Sequence, residues 1–353
     1  MVYYSQSFAQ SFARRRDTIA TMRDVAERAG VSVTTVSHVI NDTRPVSDEL
    51  RRRVLASMAN LGYQPNRLAR SLRRGQTHTI GMIIPDSANP FFAEMARGVE
   101  DTSFENGYSV ILCNSDGDLN KELLYTNVLT EKRVDGILFV AAGLSTDRIR
   151  DLQTQRTPLV VVDRDLPDAA VDSVLTDNAQ GGWLAARHLI DLGHRRIACI
   201  TGPSDVTPSA ERVTGYRQAM KKAGIPVDES LVVKGDFQYD SAYRASIQLL
   251  QIKDPPTAIF ACNDLMAVAV MSAALAEGRQ VPGDLSVVGF DDVRLAAFAN
   301  PPLTTIAQPK YEMGVVAATM LLERMRDLEM PAHRRVFETN LVTRRSTAPP
   351  KGR

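Results

Sequence analysis

Residues 21–74 read TMRDVAERAGVSVTTVSHVINDTRPVSDELRRRVLASMANLGYQPNRLARSLRR. Two short apolar periodicities meet at a tight turn, a third follows, and a proline-started basic segment closes the stretch. Ala26, Ala29, Val31, Val36 and Val39 recur at helical spacing and can form a small core. Gly30 stands where the first helix must turn sharply, and Ser32 where the second needs an N-cap. Thr34, Thr35, Ser37 and His38 then fall on or near the exposed face of that second helix. The pattern predicts a helix-turn-helix that presents its second helix to the DNA major groove.

Charge supports this reading. From Arg14 to Arg74 there are thirteen Arg, no Lys and six Asp/Glu, a net charge of +7. The whole chain carries +1, so residues 75–353 carry −6. Positive charge gathered in one terminal module is the polarity of a DNA-binding head on a soluble body. The segment Pro65-Asn66-Arg67-Leu68-Ala69-Arg70-Ser71-Leu72-Arg73-Arg74 is a short, arginine-rich helix candidate, with Pro65 suited to its first turn. Nucleation cost and like-charge repulsion make such a helix marginal alone in water. It is expected to order against polyphosphate, coupling folding to binding.

The runs VAERAGVSVTTVSHVIN and VSDELRRRVLASMANLGYQPNRLARSL resemble the lactose/galactose-repressor family of bacterial transcription regulators, and the resemblance continues to about Arg345. It implies that Thr34, Thr35 and His38 read base edges. Ser37, Asn41, Arg67, Arg70 and Arg73 complete the implied DNA contact set, Asn41 and the arginines on phosphates. It also implies that Leu72 wedges into the minor groove at a central CG step. A two-fold homodimer would then require a near-palindromic double-stranded operator.

Length and composition bound the rest. At 353 residues, 44% hydrophobic and 24% charged, the chain is ordinary for a soluble protein of two or three domains. No run of 18 apolar residues exists, so no membrane span is expected. Residues 1–20 do not read as a secretory signal and are expected to be a disordered extension. Cys113, Cys199 and Cys262 lie in or at the end of apolar runs, far apart in sequence, and read as buried thiols in a reducing cytoplasm.

After a linker at residues 75–78, strands alternate with helices. Predicted strands are Thr79–Ile84, Ser109–Cys113, Gly136–Val140, Leu159–Asp163, Ser173–Thr176, Arg196–Thr201, Ala258–Ala261 and Leu285–Phe290. Continuous apolar strands between amphipathic helices imply parallel sheets covered on both faces. About 270 residues exceed one comfortable core, which predicts two doubly wound lobes. The expected class is an N-terminal all-α helix-turn-helix head plus an α/β, two-lobed, periplasmic-binding-protein-like body. The head spans residues 21–64 and the hinge helix and linker 65–78. The effector-binding and dimerisation body spans 79–345. Its first lobe takes about 79–177 and 309–334, and its second about 178–308 and 335–345. Three crossings, as the resemblance implies, fall near 177–179, 308 and 333–337. A flexible tail covers 346–353 and lacks a leucine heptad, so a dimer is expected and not a tail-bundled tetramer.

In open α/β sheets ligands sit beyond the C-terminal ends of the strands. That rule selects Ser87–Phe92, Asp163-Arg164, Asn263-Asp264 and Asp291-Asp292. Asn89-Pro90 opens a helix whatever else it does. Phe91 and Phe92 are adjacent and cannot both face one core, so one ring is free to lie against a ligand. Asp163-Arg164 reads either as a local ion pair or as a bidentate fork for vicinal hydroxyls. Arg212 alone reads as a solvated helix arginine, while Phe237 and Gln308 are weak signals singly.

The resemblance joins them. The ribose-repressor branch, with its periplasmic ribose-binding relative, implies a polar ligand set of Asn89, Asp163, Arg164, Arg212, Asn263, Asp291 and Gln308. It implies aromatic walls at Phe91, Phe92 and Phe237. Two Arg and two Asp balance, which suits an uncharged polyol such as D-ribose or a related pentose. The purine-repressor branch has a very similar head, but places a tryptophan where Arg164 stands and an arginine where Val206 stands. A phosphorylated carrier protein as corepressor, or a sugar-binding module without DNA activity, are the remaining readings. No cofactor and no enzyme is expected. Five scattered histidines lack metal spacing, and no G-x-S-x-G or phosphate loop is present. Asp163 and Asp291 are expected to be held ionised by the adjacent arginines, so neither is a good proton donor.

Overall fold

The computed structural model describes residues 20–64, 76–140, 146–166, 169–204 and 206–351. The expected extension at residues 1–19 lies outside them, as do hinge residues Arg67, Arg70, Leu72 and Arg73. The chain divides into two compact units, residues 1–75 and 76–353.

The described residues of the first unit form three helices, Met22–Ala29, Val33–Asn41 and Asp48–Leu61. Thr21 and Asp24 form a reciprocal capping box on the first helix. Gly30 ends it at φ 63, the left-handed conformation the turn requires. Ser32 caps the second helix by accepting from the Thr35 backbone N–H at 3.0 Å. Val25, Ala26, Ala29, Val36, Val39 and Val54 form the core. Val31, expected inside it, only packs against its edge.

The second unit carries two six-stranded sheets. The first is ordered β11-β5-β4-β3-β1-β2, comprising Arg334–Phe337, Asp172–Thr176, Leu159–Val162, Gly136–Phe139, Thr79–Ile84 and Ser109–Asn114. All of its pairings are parallel. The strands alternate between two cores, one on each face. Ile80, Met82 and Ile84 pack under Met95, Val99, Met313 and Leu321, while Ile83, Ile137 and Phe139 pack with Leu129, Ile149 and Leu152. The second sheet is ordered β12-β10-β9-β8-β6-β7, comprising Asn340–Val342, Thr304–Ala307, Ser286–Asp291, Ala258–Ala261, Ile197–Thr201 and Val232–Lys234. Only β12 runs antiparallel.

Strands β7, β10, β11 and β12 escape the sequence reading because they are three or four residues long and polar or exposed (VVK, TTIA, RRVF, NLV). The chain crosses between sheets at Asp177, at Gln308-Pro309 and after Phe337. The last crossing corrects the expected boundary: residues 335–337 still belong to the first lobe, because β11 pairs with β5 through Phe337. The tail is not loose as expected. Ser346 is fully buried, donating to the Val287 carbonyl and accepting from the Thr304 N–H. The Ala348 carbonyl meets His194 and Ser286, both at 3.0 Å. Backbone groups at the N-terminal ends of β9 and β10 take these partners, so the tail is held.

Candidate effector site and DNA-reading face

The C-terminal strand ends of both sheets open onto one cavity of about 660 Å³ between the lobes. The first lobe contributes Asp86, Asn89, Phe91, Phe92, Asp116 and Asp163. Asn89 caps the helix Pro90–Glu105, its Oδ1 accepting from the Phe91 N–H at 3.0 Å. Phe91 is buried in the lobe core and meets Phe92 edge-on at 5.0 Å, and both reach the cavity. Phe91 lies in the core and Phe92 is half-buried, and both also line the cavity.

The second lobe contributes Arg212, Phe237, Asn263 and Asp291. Arg212 sits on the helix Thr207–Lys222, and its guanidinium is held by two hydrogen bonds and an aromatic ring. Nε donates to Asn178 Oδ1 at 2.8 Å and Nη1 to the Cys262 carbonyl at 2.6 Å. Its plane lies 3.8 Å from the Phe290 ring centroid. Asn263 caps the helix Asp264–Ala276 through Oδ1 and donates from Nδ2 to the Phe237 carbonyl at 3.0 Å. Asp116, Asp163, Phe237 and Asp291 hold positive φ values of 54, 56, 66 and 107. Four strained non-glycine residues at one cavity indicate backbone held for function rather than for packing.

Two expected ligands stand elsewhere. Arg164 lines a smaller neighbouring cavity of about 240 Å³ with Asp165, Glu211 and Arg334, rather than forking with Asp163 into the main one. Gln308 lies behind Asp291, donating to its Oδ1 at 2.7 Å. Asp86 and Gln238 were missed, and they join the lobes across the cavity mouth through Gln238 Nε2 and Asp86 Oδ2 at 3.2 Å. The strand-end rule reaches Asp86 as well, two residues past the end of β1.

The electrostatics also correct an expectation. Five aspartates and one arginine line the main cavity, not a balanced set. Burial pushes Asp163 up to about 7, with Arg212 pulling it down and Asp291 and Glu211 adding to the rise. Burial likewise raises Asp291 to about 6 against Arg212, Lys310 and Gln308. The arginines therefore do not hold both carboxyls ionised, because desolvation outweighs them. Asp163 Oδ1 and Gln308 Oε1 are buried acceptors without a hydrogen-bond partner among the described residues.

On the head, Thr34 is exposed and His38 half-buried on the second helix. His38 Nδ1 bonds Thr43 Oγ1 at 2.8 Å, which orients the ring. Thr35 Oγ1 bonds Ser32 Oγ at 2.9 Å, and Asn41 Nδ2 donates back to the Ser37 carbonyl at 2.9 Å and to its Oγ at 3.2 Å. No group of three or more metal-ligating side chains occurs among the described residues. None of their helices is long and apolar enough to cross a membrane.

Comparison with known proteins agrees with this layout. Residues 21–66 match the bacterial regulatory proteins of the lacI family, and residues 186–347 a periplasmic binding protein-like domain. The HTH-type transcriptional repressor PurR of Photobacterium profundum is 45% identical over 333 residues, 93% of this chain and 98% of that protein. The chain belongs to the lacI family. It is a DNA-binding repressor of that family, with the fold its members share. The ribose operon repressor of Escherichia coli (strain K12) is 46% identical over 308 residues, 87% of this chain and 93% of that one. A LacI family transcriptional regulator from Enterococcus faecium, solved with bound ribose, superposes with a TM-score of 0.71 at 33% identity, covering 77% of this chain and all of that one.

Proposed function

We propose that this repressor controls genes for ribose-type sugar uptake and catabolism. D-ribose or a close pentose binds between the lobes and releases it from its operator. The observation that carries this reading is the partnerless Asp163 Oδ1 at a cavity walled by Phe91, Phe92 and Phe237. A polyol hydroxyl supplies the missing donor, and the C–H face of a sugar suits the rings. Five carboxyl groups against one guanidinium disfavour a phosphate ester.

The purine reading has its own support, the 45% identity to PurR over nearly the whole chain. Overall identity does not separate the two, so the site must. Val206 lines the cavity where the purine branch is expected to carry arginine, and Trp183 packs against Lys222 away from both cavities. Calorimetric titration with D-ribose, D-allose, hypoxanthine and guanine decides. Binding and operator release by ribose supports the sugar, and a response to a purine alone replaces it.

The working species is a cytoplasmic homodimer on a near-palindromic operator, with no cofactor and no catalytic role. Thr34, Thr35 and His38 read bases. Leu72, with Arg67, Arg70 and Arg73, acts at the central CG step. A second copy has a surface to occupy. Helix Leu119–Glu131 buries Glu122 and Thr126 yet exposes Leu119, Leu123 and Leu124, and Leu112 is exposed on edge strand β2. Leu72→Ala should lose DNA bending and keep effector binding, and normal bending by the variant would remove the wedge.

A further inference from the structure

Lys310 opens the first-lobe helix Lys310–Arg326 and is buried. Its ammonium does not face the cavity. It donates to the Asp291 carbonyl at 2.8 Å, the Asp292 carbonyl at 2.9 Å and the Gln308 carbonyl at 3.4 Å. An ammonium has three donors, and three acceptors meet it here. Two of those carbonyls belong to a turn with consecutive φ values of 107 and 52, a conformation that does not satisfy them internally. The same ammonium lies 3.7 Å from Glu94 on the helix Pro90–Glu105.

The two helices it touches are locked backbone to backbone. A Cβ on Gly98 would stand 2.2 Å from the Tyr311 carbonyl oxygen, and one on Gly314 2.1 Å from that of Met95. The helices meet where residues 95–99 pack on residues 311–315, so a displacement at the Lys310 end is passed to the other helix through this close contact. Helix Pro90–Glu105 starts with Asn89, Phe91 and Phe92, the first-lobe wall of the cavity. Asp291 belongs to the opposite wall. Lys310 is thus the ammonium that joins the main chain of one wall to the helix pair carrying the other.

We propose that Lys310 is a positioning residue for the response: it transmits occupancy at Asp291 to the first-lobe helix pair, and so couples effector binding to operator affinity. This rests on the cavity being the effector site, not on the identity of the effector. A ligand that draws Asp291 across the cavity displaces its carbonyl, and the ammonium carries that displacement into the helix start. A ligand shifts an equilibrium only by its different affinity for the two states, so a link that distinguishes them is required.

The test uses the full chain and an operator selected by the wild-type protein from a randomised duplex pool. Operator affinity is measured by fluorescence anisotropy without ligand and with saturating D-ribose, and with saturating hypoxanthine if ribose leaves the wild type unchanged. Ligand affinity is measured calorimetrically on the same samples. The wild-type affinity ratio is expected at about 5- to 150-fold, the usual range for such coupling. Lys310→Met should still bind ligand and free operator within about threefold of wild type while its ratio falls below about twofold. Lys310→Arg, which can still donate to the carbonyls, should recover part of the ratio. Glu94→Gln alters a partly exposed side chain that is not expected to threaten folding, and should lower the ratio at least about threefold on its own. A wild-type ratio in Lys310→Met, or in Glu94→Gln should the methionine variant not fold, overturns the proposal. Loss of ligand binding in parallel with the ratio overturns it too, since Lys310 would then only hold the site together. A wild type that responds to neither ligand removes the coupling itself, and with it this role. A response to hypoxanthine alone rejects the sugar and leaves the Lys310 comparison standing.

Discussion

Arg212 and Asp291 face each other at 3.5 Å with side chains only 4% and 5% exposed. The pair is nearly sealed from water, so its charges are compensated by fixed protein groups or not at all. Breaking such a pair from one side costs about 3–5 kcal/mol, because the remaining charge is stranded. Here Asp291 can partly escape by staying protonated, since burial already raises it to about 6. Arg212→Met is therefore expected to lose roughly 2–4 kcal/mol in urea unfolding, less at pH 5.5 than at pH 8. It should also abolish effector response while operator binding persists. Equal destabilisation at both pH values would show that Asp291 does not take up the proton.

The raised carboxyls make both stability and effector affinity depend on pH, in opposite senses. Asp163 has an ordinary value of 3.8 and a folded value of about 7, so the unfolded chain releases its proton first as pH rises. Its contribution favours folding below 3.8, declines through the window from 3.8 to about 7, and is level above that. A sugar hydroxyl donates best to the ionised carboxylate. Effector affinity should rise from pH 5.5 to pH 8 by roughly tenfold, read by calorimetry. A flat profile would mean that neither Asp163 nor Asp291 accepts from the ligand.

Gly202 holds the seat of Phe237. A Cβ there would stand 2.2 Å from the ring's Cζ, which a packed ring cannot accommodate in place. Gly202→Ala should push Phe237 into or out of the cavity and weaken effector binding by about 1–3 kcal/mol. Operator affinity without effector should be unchanged. Unaltered effector affinity would remove Phe237 from the wall.

His38, oriented by Thr43, is the head residue whose loss should change preference rather than strength. His38→Ala is expected to relax discrimination at one base step of each half-site by ~1–3 kcal/mol, measured by competition among single-base operator variants. Uniform weakening on all variants would assign it to the backbone instead. Binding by wild type and variant alike should fall steeply with salt through counterion release.

The head was legible from the sequence because its determinants are local. Gly30 at a left-handed turn, Ser32 as a cap and valines at helical spacing act within a few residues of one another. Strands such as Thr79–Ile84 were equally legible, being the apolar runs that both faces of a parallel sheet demand. Asp163 and Asp291 followed from the strand-end rule, which needs only strand positions. Distant groups brought into one low-dielectric space were beyond that reach. Cys199 and Cys262 are far apart in sequence, and neighbouring strands β6 and β8 bring their sulfurs to 3.9 Å. The protonation of the two aspartates depends on how completely the lobes bury them, and sequence carries no measure of desolvation. Lys310 next to Gln308-Pro309 reads as an ordinary basic helix start, yet the crossing of the chain between lobes turns it onto the carbonyls behind Asp291. Short edge strands and the docked tail have the same cause. Their hydrogen bonds are made to a partner already folded, so their order is a property of the assembled sheet and not of their own residues.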